Sequence, residues 1–185
     1  MIANATSPQS SQATVKSGPA MSGPVADGAA QKGLTANAAV QEGAAREYAG
    51  DLDPRAAWDL LARDKEAVLV DCRSRAEWSW VGMPDLAELG KRVITVEWQR
   101  WSERGMQANQ SFAGELAAAG VSPAQPVVFL CRSGARSKSA AILMTRAGYA
   151  RCFNLAGGFE GPHDGHRHRG TAAGWKAAGL PWVQE

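Results

Sequence analysis

The 185-residue chain is short of cysteine, of long apolar runs and of excess charge. Its three cysteines, Cys72, Cys131 and Cys152, are too few and odd in number for a disulfide framework. None stands in a C-x-x-C pair, so a structural zinc site is not expected. No apolar run approaches the ~20 residues that span a bilayer. No basic stretch followed by an apolar one opens the chain, so no secretory signal is expected. The expected setting is a reducing cytoplasm, where a reactive thiol stays usable. Twenty basic residues stand against 18 acidic ones, a net charge of +2. That balance argues against nucleic-acid binding by bulk charge, yet leaves room for a small basic anion site.

What is present is uneven along the chain. Residues 1–45 are rich in Ala, Ser, Gly, Gln and Pro and poor in large apolar side chains. Such a segment buries too little surface to offset its ordering entropy, so it reads as a flexible low-complexity tail. Residues 46–185 have the size of one domain.

Within that domain helical and strand patterns alternate. Asp53-Pro54 predicts an N-cap and a proline in the first turn, with Trp58, Leu60 and Leu61 on an apolar face through Ala62. Ala67–Val70 reads as a strand buried on both faces. Arg75–Trp80 is a short helix, and Val93–Val96 a second strand. Phe112–Ala119 is helical and stops at Gly120. Pro126–Leu130 is a third strand, Ser137–Ala147 a helix stopped by Gly148, and Cys152–Leu155 a last strand. The alternation implies an α/β fold around a mostly parallel sheet.

The chemistry concentrates at the end of the third strand, in Cys131-Arg132-Ser133-Gly134-Ala135-Arg136. A strand, a small polar loop and a helix place Cys131 at the carboxyl end of a parallel strand, where ligands of open α/β sheets sit. Gly134 is free to turn the loop so that its amides converge on one point. The following helix adds its positive end, and Arg132 and Arg136 add charge. All three effects favour a thiolate, the nucleophilic form. Cys72 and Cys152 lack such surroundings and read as buried structural cysteines.

Leu130-Cys131-Arg132-Ser133-Gly134-Ala135-Arg136-Ser137 resembles the active-site loop of rhodanese-like sulfurtransferases. Three further segments agree in order. Leu69–Arg73 with Glu77-Trp78 resembles the family's first strand and Asp-x-Arg signature. Asn154–Phe159 resembles its Gly-Gly turn, and Gly174-Trp175 with Gly179–Pro181 its end. The resemblance covers about residues 52–183 and implies a three-layer fold, a central mostly parallel sheet flanked by helices. It also implies a mechanism. Cys131 would take the outer sulfur of a donor such as thiosulfate as a persulfide and pass it to cyanide or a thiol. Arg132 and Arg136 would grip the sulfonate end, and the amides of Arg132, Ser133, Gly134, Ala135 and Arg136 would hold the persulfide. Asp71 and Arg73 would brace the structure. The partners expected are a small-molecule sulfur donor and acceptor, with a thiol-bearing protein as a further acceptor. No cofactor, metal, nucleic acid or membrane is called for.

Several features depart from that pattern or compete with it. After Trp80 the family usually carries Gly-His-Ile-x-Gly-Ala. Here Val81–Leu86 lacks the histidine, which predicts an altered site rim. The segment Trp98–Gly105, with Arg100, Trp101, Glu103 and Arg104, reads as an amphipathic helix or as a pocket cover or partner surface. His163, His166 and His168, with Asp164, fit no compact ligand spacing and read as a solvated loop. Phosphatases and arsenate reductases of the same fold use Cys-x5-Arg, whereas this chain has Cys-x4-Arg, a ring sized for one sulfur. A non-catalytic module would lack Cys131. Arg132 after the cysteine, where mercaptopyruvate enzymes tend to carry glycine, favours thiosulfate as donor.

Overall fold

A computed structural model describes residues 46–184; the tail expected over residues 1–45 lies outside the described residues. Nine strands are present among them. They are β1 (Gly50–Leu52), β2 (Val68–Asp71), β3 (Met83–Pro84), β4 (Ile94–Thr95), β5 (Gln99–Ser102), β6 (Gly105–Ala108), β7 (Pro126–Leu130), β8 (Arg151–Leu155) and β9 (Trp182–Val183). The helices are α1 (Pro54–Arg63), α2 (Arg75–Val81), α3 (Phe112–Ala118), α4 (Ala135–Arg146) and α5 (Gly174–Ala177). A single 3-10 turn spans Ala87–Leu89.

The five-stranded sheet has the order β1-β8-β7-β2-β4, and every neighbouring pair is parallel. β7, all apolar and wholly buried, is its centre. Side chains alternate across the sheet, so each face has its own core. Val70, Val127 and Phe129 pack with Phe112 and Leu116 of α3 and with Ala140, Ala141 and Met144 of α4. Leu69, Val128, Leu130 and Leu155 pack with Ala57 and Leu61 of α1 and Trp175 of α5. The result is the three-layer α/β arrangement expected from the sequence. It puts Cys131, the next residue outward from β7 on the face of Phe129, under the start of α4.

The start of α1 is as read from Asp53-Pro54. The Asp53 carboxylate accepts from the Ala56 amide at 2.9 Å, and Pro54 occupies the first turn, where its missing N–H costs nothing. Three short strands, β1, β3 and β9, leave no mark in the sequence pattern. β1 is three residues long and pairs β8 from Gly50↔Phe153 to Leu52↔Leu155, too short to show a period. β3 and β9 form a two-stranded antiparallel patch, Met83↔Val183 and Pro84↔Trp182. The helix considered for Trp98–Gly105 is not formed. The segment is the antiparallel hairpin β5–β6, turning at Glu103-Arg104 with Trp101 opposite Met106. Alternation decides it: Trp98 turns in to stack edge-on against Phe112 at 5.0 Å, while Trp101 is 80% exposed. Arg100 ties the hairpin to α3 through Glu115 at 2.6 Å.

Candidate active site

β7 ends at Leu130, and the chain must turn within a few residues to enter α4. Gly134 makes that turn with φ of 102° at the helix N-cap, a conformation that side-chain-bearing residues rarely adopt. The turn points its amide at the Cys131 sulfur, N to Sγ 3.2 Å. From behind, the Gly157-Gly158 turn locks the loop. Phe159 N donates to Cys131 O at 2.7 Å and Glu160 N to Arg132 O at 2.9 Å. A Cβ on Gly158 would stand 2.3 Å from Cys131 O, so only glycine lets the two backbones approach this closely.

Cys131 is 1% exposed and forms part of the wall of a cavity of about 510 Å³. Ser74, Glu77, Gln99, Arg132, Ser133, Ala135 and Arg136 line the rest. The Cys131 thiol is lowered from 9.0 to about 4. The largest cause is the Cys72 thiol donating to its sulfur; burial opposes it, and the Ser137 hydroxyl with the amides of Ser137 and Ser133 add to the lowering. Burial, and then the neighbouring Cys131, push Cys72 up, so Cys131 holds the negative charge and Cys72 the proton. Ser137 Oγ lies 3.2 Å from the Cys131 sulfur and 2.6 Å from Asn154 Oδ1. Asn154 Nδ2 in turn donates to Asp51 at 2.8 Å, which fixes the amide's orientation.

The two loop arginines are not equivalent. Arg132 is exposed at the mouth, whereas Arg136 is half-buried and clamped by Glu77 at 2.9 and 2.6 Å. Glu77 also closes a capping box with Ser74 at the start of α2. Burial alone would raise the Glu77 carboxyl. Donors from Arg136 and Ser74 outweigh it and hold the group at about 2. One carboxylate thus starts a helix and anchors the active loop. Arg136, expected as an anion grip, is largely committed to Glu77.

Asp71 and Arg73 form a fully buried pair, 2.6 Å between Arg73 Nη2 and Asp71 Oδ2. Arg73 also donates to Gly82 O at 2.7 Å and stacks over Phe159 at 4.2 Å. The pair therefore ties β2, the end of α2 and the turn behind the loop together. The altered Val81–Leu86 segment contributes no lining residue to the cavity; its Gly82 lies against β9 and accepts from Arg73. The three histidines sit in a loop organised by Asp164, whose carboxylate accepts from the His166 and His168 amides at 2.9 and 2.8 Å. Among the described residues, no group of three or more metal-ligating side chains gathers.

Local sequence does not mark Cys72, Glu77, Gln99 and Ser137 as site residues; the fold brings them to Cys131 or its cavity. The Ser74-x-x-Glu77 spacing is a capping-box signal that would have placed Glu77 at a helix start. Cys72 is at the site because β2 and β7 pair in register, a long-range fact with no local mark.

The profile of the STR4 middle domain family matches residues 50–185. Rv0390 from M. tuberculosis, known from a crystal structure, is similar over 75% of this chain and 99% of its own, at 46% identity and a TM-score of 0.65. The uncharacterized protein RC0915 of Rickettsia conorii is 37% identical over 127 residues, 68% of this chain and 90% of the relative. A sulfurtransferase of Allochromatium vinosum is 31% identical over 108 residues, 58% of this chain and 82% of the relative.

Proposed function

The chain belongs to the rhodanese-like sulfurtransferase family, and from that premise we propose that it moves sulfane sulfur from thiosulfate through a persulfide on Cys131. One observation carries the reading. The Cys131 sulfur, held as a thiolate at neutral pH, sits in a six-residue loop whose Gly134 amide points at it from 3.2 Å. The ring is sized for a second sulfur rather than a tetrahedral phosphate, because its arginine stands five residues after the cysteine.

In this reading Cys131 attacks the outer sulfur of thiosulfate. The S–S bond breaks and sulfite leaves with the electron pair. Arg132, exposed and near the mouth, pairs with the sulfonate oxygens, while Arg136 holds the loop through Glu77. Cyanide or a small thiol, or a thiol-bearing protein, then attacks the outer sulfur and regenerates the thiolate. Kinetics are ping-pong.

Intact mass after thiosulfate treatment tests this. The protein should gain about 32 Da on the Cys131 peptide, lose it on adding cyanide, and release thiocyanate. Cys131→Ser should show none of these. An unmodified wild-type mass under saturating thiosulfate would refute the donor assignment.

A further inference from the structure

Cys72 is a buried thiol that the transfer chemistry does not need as a nucleophile. β2 and β7 pair in parallel from Val68↔Val127 to Asp71↔Leu130, and Cys72 N continues the ladder to Leu130 O at 2.8 Å. Cys72 and Cys131 are therefore the next residues across from each other, at the ends of neighbouring strands. Both point to the face shared with Val70 and Phe129. Strands in a sheet lie about 4.8 Å apart, inside the Cα separation of roughly 4.4–6.8 Å that a disulfide accepts. Both side chains lie in one buried core cluster, and the Cys72 thiol is the neighbour with the largest effect on the Cys131 sulfur. Cys152 shares the core cluster but sits on β8 opposite Val127, a strand away from Cys72 and inward from Cys131.

We propose that Cys72 is a resolving thiol for Cys131, closing an intramolecular disulfide when Cys131 is oxidised by a hydroperoxide. In the first step the Cys131 thiolate attacks one peroxide oxygen. The O–O bond breaks, hydroxide or alkoxide leaves, and Cys131 becomes a sulfenic acid, oxidised by two electrons. In the second step the Cys72 sulfur attacks the Cys131 sulfur. The S–O bond breaks, and the hydroxyl leaves with the Cys72 proton as water. Two equivalents of an external thiol reopen the bridge, becoming a disulfide themselves. The bridge forms faster than a second peroxide arrives, so Cys131 stops short of the irreversible sulfinic and sulfonic acids. Sulfur transfer is switched off while the bridge stands and returns on reduction.

The test reads masses and thiol alkylation rather than sulfur transfer, so it stands or fails apart from the donor assignment. Pre-reduced protein, free of any sulfur donor, is treated with hydrogen peroxide and analysed intact and as peptides. Wild type should become about 2 Da lighter, with a Cys72–Cys131 linked peptide, and excess dithiothreitol should restore iodoacetamide alkylation of Cys131. Cys72→Ser and Cys72→Ala should instead gain about 32 or 48 Da on the Cys131 peptide, beyond rescue by dithiothreitol. If either variant fails to fold, the wild-type peptide map decides alone. Oxygen addition to wild-type Cys131 with no linked peptide would overturn the proposal.

Discussion

The charge on Cys131 should be visible as stability. In the folded chain this thiol sits at about 4, whereas an unfolded cysteine titrates near ~8.5. Between those values the folded protein keeps the thiolate and the unfolded chain binds a proton. Unfolding then takes up a proton, so stability must rise with pH by about 1.4 kcal/mol per pH unit. The contribution is complete above ~8.5 and disappears as pH falls through the folded value. Cys131→Ser removes the titration, while the other ionisable groups are common to both proteins and cancel. The range from pH 5 to 8 lies above the region where Glu77, at about 2, titrates and below that of Cys152, at about 11. Urea unfolding of both proteins across it, with a phosphine reductant, gives the difference directly. That difference should shift in favour of the wild type by about 4 kcal/mol over the range. A difference that stays constant from pH 5 to 8 would refute the thiolate, and with it the account of how the loop activates its cysteine.

Two substitutions probe the frame around the loop. Asp71→Ala leaves the Arg73 charge buried without its carboxylate and should cost about 3–5 kcal/mol by denaturant unfolding; a loss below 1 kcal/mol would mean that the pair braces nothing. Gly158→Ala sets a methyl group against Cys131 O at a position with φ of 59°. It should cost about 1–3 kcal/mol and slow Cys131 alkylation at pH 6, because the loop must move away from its amides; unchanged alkylation would show that the turn does not hold the loop.

The layers of the fold and the position of Cys131 are legible in the sequence because they leave local marks. Asp53-Pro54 announces a helix start, and the unbroken apolar run of β7 announces a central strand. The features that escape are those made by distance. β1 has three residues and exists only because β8 pairs with it. Arg136 looks like a free anion grip until α2 brings Glu77 against it. Cys72 looks structural until the register of β2 on β7 sets it beside Cys131. The hairpin at Trp101 is hidden for a different reason: tryptophans and charges close together fit a helical face as well as a β-ribbon, and only the turn at Glu103-Arg104 separates the two.

The strand order also sets a timetable for synthesis. β1 is the first strand of the described chain, yet its only neighbour in the sheet is β8. The locking contacts on Cys131 and Arg132 come from Phe159 and Glu160, made after β7, α4 and β8. A ribosome-bound chain that has released residues only as far as α4 therefore carries Cys131 without the turn that fixes its loop. Until β8 docks, the sheet edge stays open and the loop lacks the backbone contacts that hold it. Contacts this distant in sequence slow folding, so premature termination or C-terminal clipping before Gly161 should yield an inert, aggregation-prone fragment rather than a weakened enzyme.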